Sequence, residues 1–137
     1  METIPFLRGG FSIDGQELNA EIELSARAVA IFRRRSCTVD SLWPKQKVAL
    51  EYDSNQFHLT AEQHDWDKRK NSALTMDGYK TFTVTAKMVS SLPEVEKTFL
   101  ALRKMLGKRT SLERLRETAE QRQKLFEFLF QNPKSVW

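Results

Sequence analysis

The chain has 137 residues, of which 40% are hydrophobic and 29% are charged, and this length and composition predict one folded domain. A single cysteine, Cys37, excludes an intramolecular disulfide and favours a reducing, cytoplasmic location. The sequence has neither an apolar run of membrane-spanning length nor a signal-peptide pattern, so we expect no membrane association. The net charge of +4 permits a nucleic-acid partner without requiring one.

The first third of the chain predicts an irregular lead-in, a strand and a short helix. Turn-forming residues predict irregular structure over residues 1–17. Alternating apolar and polar residues predict a strand over 18–24. A helix is expected over 25–35, with Ser25 as its N-cap.

Two adjacent strands follow. Residues 37–43 and 47–53 are short apolar runs separated by residues 44–46, a proline-containing stretch short enough for a hairpin turn. Successive side chains of a strand point to opposite faces, so the carboxylates at 51 and 53 share one face, roughly 7 Å apart along the strand.

The hairpin turn leaves two registers open, and both place the acid of the first strand near those of the second. If Pro44 pairs with Lys47, Asp40 lies directly opposite Glu51. A slipped pairing places Asp40 opposite Ala49 and diagonal to Glu51, on the same face in either case.

Asp40, Glu51 and Asp53 are therefore candidate metal ligands. Three carboxylates so close repel one another, and a bound cation removes that repulsion. Hard oxygen ligands suit Mg²⁺ or Mn²⁺. The alternative interpretation is that these acids are ordinary solvated residues of a hairpin.

A helix and a strand after the hairpin complete the predicted α/β core, which spans residues 18–90. Thr60 and Gln63 form a capping-box pattern that begins a helix over 60–77. Residues 79–85 predict a strand parallel to the second hairpin strand, through a right-handed crossover. The buried stripe of the helix is expected to comprise Trp66, Ala73 and Leu74.

Two C-terminal helices are predicted over residues 91–131. Capping boxes at Ser91 and Thr110 begin helices that run to about 106 and 130. The last six positions of the second helix, 125–130, are apolar almost all round. They predict packing either onto the domain itself or onto a second copy in a homodimer.

Basic residues flank the acidic hairpin on both sides. Arg33, Arg34 and Arg35 precede it, and they either grip nucleic-acid phosphates or form a solvated helix end. Lys68 and Arg69 lie on the predicted helix after it and are further candidates for contacts with a DNA backbone.

The order of these residues resembles the PD-(D/E)XK nuclease superfamily. Asp40 is followed by the Trp43-Pro44 turn, an apolar strand that ends in Glu51-x-Asp53-Ser, and then His58. The most similar branch is that of the very-short-patch-repair-endonuclease-like domains of bacterial proteins. The resemblance extends from about residue 5 to about residue 90 and includes Asp67-x-x-Lys70 with the strand after it.

This resemblance implies a restriction-endonuclease-like mixed β-sheet core flanked by helices. It implies Asp40 and Glu51 as ligands of Mg²⁺ or Mn²⁺, and Asp53 in the position that usually carries the superfamily lysine. It implies that His58 lies beside the scissile phosphate and that Lys70 is the basic residue of the site. The branch usually begins with a helix bearing another acid, which this sequence is expected to lack.

Two functions follow as hypotheses. The first is a metal-dependent endonuclease that hydrolyses DNA phosphodiester bonds. The second is a non-catalytic DNA-binding or regulatory domain, of the abortive-infection or toxin–antitoxin type, that retains the nuclease fold.

Overall fold

The computed structural model describes residues 10–53 and 60–131. The chain divides into two compact units, each with its own internal contacts. One unit comprises residues 16–86, and in it lie the predicted hairpin, helix and parallel strand. The other combines residues 10–15 with the helical region from 87 to 131.

A four-stranded mixed sheet is the centre of the 16–86 unit, which confirms the predicted mixed α/β class. The strands are hydrogen-bonded in sequence order, with the first three antiparallel and the fourth parallel to the third. Their bounds are β1 Glu17–Glu23, β2 Ser36–Trp43, β3 Val48–Asp53 and β4 Lys80–Thr85.

The hairpin between β2 and β3 has the first of the two predicted registers. Trp43 faces Val48 and Ser41 faces Leu50, and the same register continued through the turn sets Pro44 against Lys47. Lys47 has a positive φ of 54°, and its backbone N–H donates to Pro44 O at 3.3 Å. The turn therefore fixes which residues of the two strands lie opposite one another.

Two helices cover one face of this sheet. They are α1 Ala26–Phe32 and α2 Ala61–Met76, and they pack against each other. A core cluster joins them to the strands through Ala28, Phe32, Val39, Ala49 and Leu74, among others. The apolar positions of the helices and the alternate positions of the strands thus meet in one layer.

The helix starts follow the predicted caps. The hydroxyl of Ser25 accepts a hydrogen bond from Ala28 N at 3.2 Å, and that of Thr60 accepts one from Gln63 N at 3.2 Å. In each case a side chain satisfies a backbone donor that the first helical turn leaves without a partner.

The prediction that Trp66 belongs to the buried stripe of α2 is wrong. Ala73 and Leu74 are fully buried, whereas Trp66 is 37% exposed. Its ring lies against Phe32, with 4.4 Å between the ring centroids. Trp66 lies about two helical turns before Ala73, in the first half of α2, where its ring contacts Phe32 at the end of α1.

Asp77, directly after α2, connects the two helices. Its carboxylate accepts hydrogen bonds from the backbone N of Ser25 at 2.8 Å and from the Ser25 hydroxyl at 2.5 Å. The hydroxyl bond, followed by the backbone bond, lowers the pKa of Asp77 below its usual value. One carboxylate therefore fixes the start of α1 to the end of α2.

The helical unit contains three α-helices in place of the two predicted. They are α3 Leu92–Met105, α4 Leu112–Glu117 and α5 Ala119–Gln131, preceded by a short 3-10 helix at Lys87–Val89. The cap of α4 is Ser111, whose hydroxyl accepts from Arg114 N at 3.1 Å. The predicted cap Thr110 instead accepts a hydrogen bond from Arg103.

A buried arginine binds the backbone next to the point where the predicted last helix is divided. Arg122 is 3% exposed, and its guanidinium donates to the Leu115 carbonyl at 2.5 Å and to the Thr118 hydroxyl at 2.6 Å. It also pairs with Glu96 of α3 at 3.1 Å. The carbonyl that Arg122 binds lies in the last turn of α4, where an interrupted helix leaves carbonyls without intrahelical partners.

The apolar end of α5 is partly solvent-exposed, since Phe128 is 65% exposed. The homodimer through this helix stays a prediction. In the described residues, no helix is both long and apolar enough to cross a membrane.

Arg103 of α3 anchors the segment 10–15. Its guanidinium donates to the carbonyls of Phe11 at 2.8 Å and Ser12 at 3.2 Å, and to Thr110 Oγ1 and Arg109 O, each at 2.9 Å. Burial lowers the pKa of Arg103, and these oxygens compensate its buried charge.

We expect Asp77→Asn to destabilise the protein at neutral pH, with a smaller effect in acid. A lowered folded pKa contributes stability above the unfolded value of about 3.9, and that stability is lost as the pH falls through the folded pKa. Thermal unfolding across this range measures the difference. Glu23→Gln, at an exposed position of β1, is the matched control, and an equal loss in both variants at every pH contradicts the assignment.

We expect Arg103→Met to destabilise the protein by about 2–4 kcal/mol, because it leaves buried carbonyl oxygens without donors. Urea denaturation followed by circular dichroism measures the change. Lys104→Met, at the exposed neighbouring position of α3, is the control. If both variants unfold at the same urea concentration, Arg103 does not anchor the segment.

Candidate acidic site

An ion pair between α2 and β3 defines the candidate site. Lys70 Nζ contacts Glu51 Oε1 and also donates a hydrogen bond to the carbonyl of Thr38 in β2, at 2.6 Å. The Lys70 side chain is 14% exposed and that of Glu51 is 27% exposed. One ammonium group carried by α2 therefore contacts a carboxylate on β3 and the backbone of β2 at a position that is little exposed.

Asp40 lies beside this pair. Asp40 lies directly beyond the paired part of the hairpin, whose last pair away from the turn is Ser41 with Leu50. The Asp40 carboxylate accepts a hydrogen bond from the backbone N of Tyr52 at 2.7 Å. This bond holds the half-buried acid of β2 against the strand that carries Glu51.

An irregularity in β1 accompanies the position of Asp40. Pairing between β1 and β2 runs through Leu18 with Ser41 and resumes at Ala20 with Val39. Between these pairs, Asn19 adopts a positive φ of 48°, a conformation that asparagine tolerates better than most residues. The regular ladder is thus interrupted opposite Asp40, where the Asp40 carboxylate bonds to β3.

Negative charge is crowded around Glu51. Burial is the largest cause that raises the pKa of Glu51, and the charges of Asp40 and Asp67 raise it further. The hydrogen bond and the positive charge of Lys70 act in the opposite direction, yet the pKa stays above the ordinary value. The ionised carboxylate at position 51 is therefore only partly compensated.

Asp67 is a third acid near Glu51, and the sequence alone predicts no role for it. It precedes Lys70 by three positions on α2, so the two side chains lie on neighbouring parts of the same helix face. The Asp67-x-x-Lys70 spacing was visible in the sequence. Only the packing of α2 on the sheet brings its charge near Glu51.

The predicted metal ligands are brought together in part. Asp40 lies near enough to Glu51 for its charge to act on that carboxyl group, and Asp53 is two positions farther along β3, half-buried at its end. Residues 10–53 and 60–131 contain no group of three or more His, Cys, Asp or Glu side chains placed to hold a metal ion. His58 lies outside the described residues, so its predicted role stays a prediction.

The predicted DNA-binding residues have different environments. Arg69 pairs with Asp65 at 2.8 Å and donates to the Ile31 carbonyl at 3.3 Å, which are contacts that stabilise the fold. Lys68 is exposed on α2.

The three consecutive arginines also differ from one another. Arg33 ends α1 in the left-handed conformation, with a φ of 63°. The guanidinium carbon of Arg34 lies 4.5 Å from the centroid of the Trp66 ring. Arg35 is exposed at the start of β2. The basic run is therefore both a helix end and a set of accessible cations.

Comparison of the chain with known protein families, curated proteins and solved structures finds no match.

We expect Glu51→Gln to raise the midpoint of thermal unfolding by a few degrees at neutral pH. The folded pKa of Glu51 lies above the unfolded value of about 4.3. Between the unfolded and the folded pKa of Glu51, the folded state therefore binds more protons than the unfolded state. The folded state loses stability as the pH rises through this range. The amide removes this loss, so the difference from the wild type vanishes in acid, and an unchanged or lower midpoint at neutral pH contradicts the prediction.

We expect Lys70→Met to have the opposite effect. Without the ammonium group, Glu51 faces Asp40 and Asp67 with no nearby compensating cation, and the midpoint falls at neutral pH. The double variant with Glu51→Gln recovers part of this loss, because the uncompensated charge is gone. Additive effects of the two substitutions would show that the two side chains do not interact.

Proposed function

We propose that this chain is a metal-dependent endonuclease domain that hydrolyses DNA phosphodiester bonds on a restriction-endonuclease-like fold. The observation that carries the proposal is the convergence of Asp40, Glu51 and Lys70. The PD-(D/E)XK superfamily, which the sequence resembles, uses two acids on adjacent antiparallel strands and a lysine. In this chain the position that usually carries the lysine is Asp53, and Lys70 of α2 supplies the positive charge instead.

The donor set fits a divalent cation. Mg²⁺ is commonly held by one or two carboxylates, with waters and substrate phosphate as its other ligands. Asp40 and Glu51 supply carboxylates of this kind, and each carboxylate has lone pairs beyond those used by Tyr52 N and Lys70. The raised pKa of Glu51 reflects a negative charge that a cation would relieve.

The residues of the site divide the chemistry among them. A bound Mg²⁺ or Mn²⁺ would supply a water of lowered pKa and positive charge at the phosphate. Asp40 and Glu51 would hold the ion, and Asp53 would orient it or its water. Lys70 stabilises negative charge that develops on the phosphate oxygens. His58 assists proton transfer or stabilises the leaving oxygen.

DNA binding rests on cations around this centre. Arg34, Arg35 and Lys68 are exposed, and none of them takes part in the ion pairs found among the described residues. Cations of this kind contribute salt-dependent affinity through phosphate contacts.

A second candidate is a non-catalytic DNA-binding or regulatory domain on the same fold. The observation that favours it is the ion pair itself. Lys70 contacts the Glu51 carboxylate and hydrogen-bonds to Thr38 O, so a lysine already compensates part of the charge of the acid that would bind metal. In this case the cluster stabilises the packing of α2 on the sheet, and DNA binds without turnover.

We expect metal-dependent cleavage of supercoiled plasmid by the wild-type protein, with loss of cleavage in Glu51→Gln. The amide keeps the size of the side chain and removes the charge that binds metal. Gel analysis of plasmid incubated with Mg²⁺, Mn²⁺ or EDTA measures the activity, and Glu23→Gln is the matched control. Cleavage by Glu51→Gln at the wild-type rate rejects the assignment of Glu51.

Cleavage and DNA-binding measurements on the same protein preparation distinguish the endonuclease from the non-catalytic binding domain. If neither metal supports cleavage, while DNA binds with an affinity that falls with salt concentration, the domain is a binding module. A metal-dependent shift in the unfolding midpoint that Glu51→Gln abolishes would still locate an ion at the acids.

A further inference from the structure

An open pocket lies beside the acidic site, within the 16–86 unit. It has a volume of about 300 Å³. The segment between α1 and β2 lines it with Arg34 and Arg35, and α2 contributes Trp66 and Lys70. This volume is at the lower end of the range of small-molecule sites, roughly 300–1,000 Å³, and suits one monomeric unit of a polymer better than a double helix.

The charge of the pocket favours an anion. Arg34, Arg35 and Lys70 are among its described lining residues, which include no aspartate or glutamate. Lys70 is already bound to Glu51 and Thr38 O, whereas the two arginines are exposed. Guanidinium groups donate paired hydrogen bonds that match the oxygens of a phosphate.

An aromatic stack gives the pocket a second property. Trp66 packs against Phe32 with the rings tilted by 51°, and the guanidinium of Arg34 lies over the Trp66 ring. Bases of single-stranded nucleic acids stack on aromatic rings and on guanidinium planes. The pocket thus combines phosphate-binding cations with a stacking surface, and a nucleotide carries both complementary groups.

Lys70 places this pocket next to the acids. It lines the pocket and also contacts Glu51, so a strand whose scissile phosphate lies at Asp40 and Glu51 passes the pocket within a short distance.

We propose that the pocket binds one unpaired nucleotide of the DNA strand adjacent to the phosphate at the acidic site, with its base stacked on the Arg34 guanidinium that Trp66 supports from below and its phosphate held by Arg35. The proposal deepens the nuclease function and rests on it for the choice of DNA. A base in a duplex is already stacked on both sides, and a nucleotide without a partner enters such a pocket at the lowest cost.

Binding measured in EDTA tests the pocket without cleavage. The probes are a fluorescently labelled duplex with one bulged nucleotide, the same duplex fully paired, and free thymidine monophosphate. We expect the wild-type protein to bind the bulged duplex about tenfold more tightly than the paired one, a ratio in the range of one stacked base. Arg34→Ala and Trp66→Ala should abolish this preference, and Trp66→Phe should retain most of it.

Arg27→Ala is the matched control, because Arg27 is an exposed cation of α1 outside the pocket. It removes the same charge and should weaken binding of both duplexes equally. Circular dichroism of each variant establishes that it folds.

Equal affinity for the two duplexes, or an intact preference in Arg34→Ala, overturns the proposal. Arg34-dependent binding of thymidine monophosphate without a preference for the bulge also overturns it and identifies a site for a free nucleotide. A protein that never cleaves DNA can still show the preference, and one that cleaves can lack it. The failures of the two proposals are therefore distinguishable.

Discussion

The contacts of the Lys70 ammonium group link α2 to two strands of the sheet, and the arrangement of the acidic site depends on them. It contacts a carboxylate of β3 and a backbone carbonyl of β2 from a helix whose buried core residues are Ala73 and Leu74. Burying an ammonium group costs free energy unless it is paired and hydrogen-bonded, as this one is. The same contacts that fix α2 on the sheet therefore bring positive charge to the acids at the edge of the hairpin.

The acidic group is held in place at an energetic disadvantage, and this is typical of sites that act on charged ligands. Asp40 is fixed by a backbone hydrogen bond beside an interruption in β1, and Glu51 is partly desolvated next to two other acids. Neither arrangement is needed to form a hydrophobic core. Beside them, the Arg34–Trp66 stack carries the opposite charge, so the face that bears α1 and α2 offers acids and cations within the span of a few residues.

Local chemistry predicted much of this fold because short-range rules decide it. The turn after Trp43 sets the hairpin register, and Ser25, Thr60 and Ser91 each cap a helix through their own hydroxyl groups. The departures come from contacts between residues distant in sequence. Trp66 lies on Phe32 and stays partly exposed, Arg122 binds the Leu115 carbonyl at the end of α4, and Asp67 nears Glu51 only through packing. Periodicity within one segment carries no information about such partners.

Arg103 has a consequence for the order in which the chain folds during synthesis. The segment 10–15 emerges from the ribosome early, but the guanidinium that binds its carbonyls is about ninety positions later. Every residue of the 16–86 unit is made before that arginine. Because domains generally fold as units while synthesis proceeds, the sheet can form first, and the early segment must wait for α3 before it acquires its permanent partner.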